Sequence, residues 1–393
     1  MFRSPSNTIN FETFRAEEKE WKRFGKTLFF LLGPPLFLLI LVLEIAGWRL
    51  GETVPFPWAA QRQAESPDLI WYAGRQENYA YFKLARVAEE RPDVLVMGDS
   101  RAGQFRSAMF RPYSCYNFSR VSWPIETLTD LLRHLPAGYA PKVIVLNLDF
   151  MMFNPSYTSF SAGAAPVFGP PNHFHALCDI FRELWANPAL IFANSRGHFP
   201  GETLMGLSAH VSEGGFRKDG SELWTVWQIQ NFGDDPDAMK KLEPKFVLFS
   251  HGDAMGTQEK AKFEEFISLA HSMGTTVIGI QMPVYGPVMR AIEQDPKCGI
   301  LNDFRAQVAR GYFDRPGVIF FDALGFPPYS EDYRYFITSV HPTEAVSSAI
   351  LLRLASDPKI KAVLPKLDTA ALQQKLDEDA RADQHVFLYN ADY

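Results

Sequence analysis

Val94-Leu95-Val96-Met97-Gly98-Asp99-Ser100-Arg101 is the stretch that decides how this chain is read. Four apolar residues in a row, closed by glycine, describe a short strand buried on both faces, since a half-exposed strand alternates polar and apolar side chains. The same rhythm repeats outward from it. Residues 113–118 form a second, weaker run, and Ile125, Leu128, Leu131, Leu132 and Leu135 then recur at helical spacing. Val143-Ile144-Val145-Leu146 follows as a strand, residues 276–280 as another, and Val318-Ile319-Phe320-Phe321 as a third. Ahead of residues 276–280, Phe263, Phe266, Ile267 and Ala270 line one face of a helix that Gly274 stops. Continuous apolar runs alternating with amphipathic helices predict an α/β fold, a doubly wound parallel sheet with helices on both faces.

The 393 residues leave room for one enlarged domain with appendages, or for two domains. At 47% hydrophobic and 21% charged residues the chain is neither disordered nor a polytopic membrane protein. A net charge of −6 and the lack of a long Lys/Arg run exclude nucleic acid as the expected partner. Three cysteines, Cys115, Cys178 and Cys298, have no C-x-x-C spacing and can build neither a disulfide framework nor a zinc ribbon. A single Cys178–Cys298 bridge stays open in an oxidising compartment. His173-Phe174-His175 with Cys178 offers metal ligands only superficially, because residues i and i+2 do not share a helix face. Neither a metal nor a cofactor is expected.

One segment departs from these averages. Residues 27–43 carry no charge, and residues 27–48 give about twenty apolar positions, enough to cross a ~30 Å hydrocarbon core. Arg3, Arg15, Lys19, Lys22, Arg23 and Lys26 precede it, while only Arg49 and Arg62 follow closely. That asymmetry predicts a single-pass anchor in the bacterial inner membrane, with residues 1–26 as a cytoplasmic arm and the remainder extracytoplasmic. Trp21 and Trp48 stand where interfacial anchors belong, and Gly33-Pro34-Pro35 is expected to kink the helix. A cleaved signal peptide fits less well, since the polar arm is long and no small-residue cleavage site closes the stretch. Residues 49–85, with Pro55, Pro57 and Pro67, read as a stalk. The α/β domain is placed at residues 86–365. Within it, residues 150–245 read as an insertion over the carboxyl ends of the strands, with a helix-like piece from 175 to 193 and a turn at Lys218-Asp219-Gly220-Ser221. Residues 366–393 read as a solvated helix and tail.

The chemistry starts at Ser100. A serine placed directly after a buried strand, with a glycine two residues earlier, exposes its hydroxyl at the sheet edge, where the amides of the following turn can stabilise an oxyanion. Alone, Gly98-Asp99-Ser100 is equally well a strand-to-helix turn with Asp or Ser as N-cap. A second element shifts the weighing: His341-Pro342-Thr343 precedes the apolar helix 345–354, and Pro342 suits a first helical turn. His341 therefore lies on a loop that can face the first strand's end.

With these two blocks in this order, the chain resembles the SGNH/GDSL hydrolase superfamily over roughly residues 92–363. The anchor, Gly98-Asp99-Ser100-Arg101 and the later Tyr116-Asn117-Phe118 and Pro124-Ile125-Glu126 look like its membrane-anchored subgroup, the DltD-like and alginate-acetylation proteins that work with membrane-bound O-acyltransferases. The resemblance implies a flavodoxin-like sheet, Ser100 as nucleophile with its amide as an oxyanion donor, and His341 as base. Further oxyanion donors would come from the loop 117–123, where the family's glycine is missing and a backbone donor near Ser122 is left, and from Asn147 or Asn154 in place of the family asparagine. The family's acid, three residues before the histidine, is Thr338 here. Either another carboxylate such as Asp332 reaches His341, or a dyad operates, or catalysis is impaired. Arg101 would bind an anionic sugar or an acyl carbonyl, or else pair with a nearby aspartate. The implied function is transfer of an acyl group, such as acetyl, to or from an envelope polysaccharide through an acyl-serine. The alternative is a degenerate domain that binds glycan or docks on the acyltransferase.

Overall fold

The computed structural model describes residues 11–74, 78–121, 125–155, 168–193, 196, 203–224 and 251–379. The helix Phe11–Leu50 stays a single helix through Pro34 and Pro35, where a kink is expected. Its span Lys19–Leu50 is long and apolar enough to cross a membrane. Phe29, Phe30, Leu31, Phe37 and Leu38 are all exposed, so this part is apolar all round and uncovered by protein, which suits hydrocarbon and not water. Trp21 and Trp48, also exposed, are separated by about 40 Å of helix at 1.5 Å per residue. That is close to the ~40–45 Å of a bilayer with its headgroups. The last turns are different: Leu43, Ala46 and Leu50 pack against Leu177, Ile180 and Leu207 of the folded body.

In chain order the strands are β1 (Leu69–Trp71), β2 (Val94–Met97), β3 (Cys115–Asn117), β4 (Val143–Asn147), β5 (Thr203–Met205), β6 (Gly215–Phe216), β7 (Glu222–Leu223), β8 (Thr276–Gln281), β9 (Val318–Asp322), β10 (Phe336–Thr338) and β11 (His341–Pro342). The central sheet has the order β3-β2-β4-β8-β9 and is parallel throughout. Its pleat explains the continuous apolar runs. Leu95, Met97, Ile144, Leu146 and Val277 point into one cluster, under Leu128 and Leu131 of the helix Ile125–Arg133 and Phe263 and Phe266 of the helix Thr257–Ser272. Val94, Val96, Val143, Val145 and Ile278 point into another, covered by Val346, Ile350 and Leu354 of the helix Glu344–Ala355. Both faces are buried, so neither can carry alternating polar residues. The expected parallel sheet of an α/β chain is thus present, with β3 on one side of β2 and β4 on the other. Direction reverses between β2 and β4, and the crevice at the carboxyl ends of such a pair is where open α/β sheets bind ligands.

Residues 49–85 do not form a separate stalk. Val54, Phe56, Ala59, Trp71, Tyr79 and Phe82 are buried in the same core cluster as Leu95 and Ile144, with Trp71 stacked on Phe82 at 3.6 Å between ring centroids. β1 also pairs with β5 and β6 from the expected insertion, giving a second sheet of order β5-β1-β6-β7. The prolines suggest an extended linker, but the aromatic residues between them have too much apolar surface to leave in water. Of the 150–245 segment, residues 156–167, 194–195, 197–202 and 225–245 lie outside the described residues, as do 380–393 of the expected tail. The helix Thr369–Asp379 is docked, not solvated: it packs on Glu344–Ala355 and buries Leu372.

Candidate active site

β2 ends at Gly98, whose φ of +135° is open to glycine but strained for other residues, and a Cβ there would meet the Cβ of Asn147 at 2.6 Å. The close approach of the β2 and β4 ends therefore depends on this glycine. Asp99 caps the following 3₁₀ turn, Ser100–Gln104, with its carboxylate accepting the Arg101 amide at 2.8 Å. The Ala102 amide turns back to the Asp99 carbonyl. Ser100 stands at the start of that turn, partly exposed.

His341 comes from the other end of the chain. β10 and β11 form a small antiparallel pair in which Thr338 and His341 are partners, and the helix Glu344–Ala355 follows at once. The Ser100 Oγ is 2.7 Å from His341 Nε2, and the Thr338 Oγ1 is 2.6 Å from His341 Nδ1. For Ser100 to donate to Nε2, the ring proton must sit on Nδ1 and be accepted by Thr338; a hydroxyl, which can donate or accept, fits that tautomer and orients the ring without imposing it. Burial, with Arg120 and then Arg101 nearby, holds the His341 pKa well below the usual histidine value. Burial thus favours the neutral imidazole, the form that can accept a proton.

The remaining expected residues are placed as follows. Asp332 does not reach His341. Its carboxylate caps the turn Tyr333–Tyr335 and is gripped by Arg334, whose Nε and NH2 lie 2.8 and 2.6 Å away. Local capping and a bidentate partner two residues on outcompete a longer reach. Arg101 is buried and bound to Asp149 at 2.5 Å, while also donating to the carbonyls of Val340, Met282 and Pro283, so it takes the pairing alternative and is no substrate ligand. It ties the Ser100 turn to the His341 loop. Asn147 spends its amide protons on Asp99 and Asp149, at 2.8 and 3.0 Å, and Asn154 donates to the His251 carbonyl, so neither amide is aimed at an oxyanion. Burial and the neighbouring Asp149 push the Asp99 pKa upward. Ser122 lies outside the described residues.

Three contributors escaped the sequence reading. The β6–β7 hairpin delivers Trp224, whose ring centroid lies 4.5 Å from that of His341. Arg120, at φ +66°, lies over the Trp224 ring at 5.6 Å and pairs with the buried Glu222 through Nε at 2.8 Å. Lys83, fully buried, donates to the carbonyls of Asn117, Ser119 and Gly220 and so locks the β3 loop to the hairpin. The turn at residues 218–221 was the available signal for the hairpin, since it sits between two short strand-like pieces. Nothing in the spacing tells which strand end such a hairpin will reach.

Cys115, Cys178 and Cys298 are all free thiols, so the Cys178–Cys298 bridge is not formed. His173 bonds Glu44, not a cation partner. Among the described residues, His251, Asp295 and Cys298 offer donor atoms within 4.8 Å of one another and are the group that a metal ion could join. No family model matches the chain, and no curated protein does either. Fold and site define a parallel-sheet α/β protein with a Ser100–His341–Thr338 relay at the sheet's carboxyl edge, joined to one helix fit to cross a membrane.

Proposed function

We propose that this chain is a membrane-anchored, extracytoplasmic serine acyltransferase or esterase of the SGNH type, acting on an acylated polysaccharide of the bacterial envelope. One observation carries the reading: Ser100 Oγ and His341 Nε2, 241 residues apart in sequence, meet at 2.7 Å. The strand order, which matches a flavodoxin-like doubly wound sheet, and the serine directly after the first strand of that sheet support the same family. In this reading Ser100 Oγ attacks an ester carbonyl carbon and its proton passes to His341 Nε2. Collapse of the tetrahedral intermediate expels the alcohol, which takes the proton back. Water or a sugar hydroxyl, deprotonated by His341, then attacks the acyl-serine and regenerates the enzyme. The anchor keeps this chemistry beside the membrane, where a membrane-bound O-acyltransferase would supply or receive the acyl group.

The docking alternative draws on two features, the Asn147 and Asn154 amides engaged elsewhere and a hydroxyl in place of a carboxylate at His341 Nδ1. Full-length protein in detergent, treated with a fluorophosphonate ester and analysed by peptide mass spectrometry, separates the two. The enzyme reading expects an adduct on Ser100, abolished by Ser100→Ala and strongly slowed by His341→Ala. A folded parent protein that stays unmodified at Ser100 rejects the enzyme and selects the docking subunit.

A further inference from the structure

The helix His173–Ala186 carries more apolar surface than the fold covers. At 100° per residue, Leu177, Ile180 and Leu184 occupy the arc that packs on the last turns of the Phe11–Leu50 helix, with Ile180 close against Gly47. Arg182 and His175 fall opposite that arc and are exposed, while Asp179, buried and paired with Arg182, and Glu183 lie on the far flank. Between the two lies a third strip of Phe174, Phe181, Trp185 and Cys178. Phe174 is 69% exposed, Phe181 43% and Trp185 80%, and Phe192 just beyond the helix is 80% exposed. Isolated exposed apolar residues need no explanation, but a contiguous aromatic strip rimmed by charge marks an interaction surface.

We propose that this strip is a second membrane contact, lying in the outer interfacial layer of the same bilayer that the Lys19–Leu50 span crosses. It rests on reading that span as a membrane anchor. The occupant follows from continuity: Leu43, Ala46 and Leu50 of the anchor pack directly on this helix, and His173 Nε2 bonds Glu44 at 2.6 Å. Phe174, the next residue, is therefore held near the level of Glu44, about one helical turn before the exposed Trp48, where the anchor leaves the hydrocarbon. Aromatic residues concentrate at that depth because their rings tolerate the headgroup boundary. An amphipathic helix held there sinks its apolar side about 5–10 Å into the interface, with its charged arc toward water. The consequence is mechanical. A single span leaves a domain free to tilt, whereas a span plus an interfacial helix fixes the orientation of the Ser100 edge relative to the membrane.

The native cysteines make the test possible without altering the strip, since Cys178 is exposed on it while Cys115 and Cys298 are buried. Full-length protein labelled at Cys178 with an environment-sensitive fluorophore is reconstituted into phosphatidylcholine vesicles, with or without lipids brominated high on the acyl chain, and the floated fraction is read. Seated in the interface, the probe loses roughly half or more of its emission to the shallow brominated lipid. A probe on the far side of the helix, at Glu183→Cys in a Cys178→Ser background, keeps its emission. Failure to float after an alkaline wash refutes the anchor reading itself. Flotation with an unquenched Cys178 probe overturns the second contact alone. A blue-shifted, unquenched probe whose shift depends on protein concentration assigns the strip to a second copy of the chain, and also overturns it.

Discussion

Replacing Thr338 with valine removes one oxygen at nearly constant shape and tests whether the hydroxyl at His341 Nδ1 serves the base. In the ground state the Nδ1–H donates to a neutral acceptor over 2.6 Å, a bond worth about 0.5–1.5 kcal/mol. When the imidazole takes the Ser100 proton the same bond becomes charge-assisted and is worth about 1.5–3 kcal/mol. The difference, about 1–1.5 kcal/mol, is lost from the transition state, so kcat falls roughly 5- to 13-fold with KM little changed. Stability drops by about 1–3 kcal/mol for the stranded buried donor. The assay is ester hydrolysis by full-length protein in detergent, with urea unfolding for the stability. The pH profile supplies an independent reading. Because the His341 pKa lies well below 6.5, the parent keeps its full rate as pH falls through 6.5 and loses it only near the lower folded value, where the ring charges. Thr338→Asp sets a carboxylate beside the ring, raises that pKa by about 1–3 units and moves the acid limb upward. An unchanged kcat in Thr338→Val together with an unmoved acid limb in Thr338→Asp would refute the relay.

Asp332→Asn leaves the rate and its pH profile as in the parent and changes stability by no more than about 1 kcal/mol, since it weakens only a surface pair with Arg334; a large rate loss would return Asp332 to the site. Arg101→Met strands the buried Asp149 carboxylate and lowers unfolding free energy by about 3–5 kcal/mol, measured in urea whatever happens to activity. Gly98→Ala forces a Cβ onto Asn147 at a positive φ, costing about 2–5 kcal/mol and displacing Ser100, so the adduct-forming rate with fluorophosphonate falls along with stability.

Much of the frame was legible in the chain. Residues 94–97, 143–146, 276–280 and 318–321 read as buried strands because a parallel sheet covered on both faces leaves no polar alternation, and that pattern is local. The membrane-crossing length and the Trp21 and Trp48 positions were equally plain, since hydropathy and rise per residue are additive along a helix. So were Ser100 and His341, each fixed by its position relative to one element, a strand end and a helix start. The structure then places the two side chains in contact.

What the chain did not reveal is everything set by packing between distant segments. Residues 49–85 resembled a stalk because prolines dominate a local reading, yet Phe56, Trp71 and Phe82 gain by burial in a core whose other half lies elsewhere in sequence. Asp332 looked like the missing acid because it is a carboxylate close to His341, but a short-range partner, Arg334, captured it. Thr338 was read as a gap, and only the β10–β11 register turned it toward Nδ1. Arg101 and Asn147 acquired their roles from the same cause: their partners Asp149, Val340 and Asp99 arrive by strand order and not by spacing. Periodicity is a property of one segment and can be read from it, whereas a hydrogen-bond partner is chosen among all groups that the fold brings within 3 Å or so, and that choice belongs to the tertiary structure.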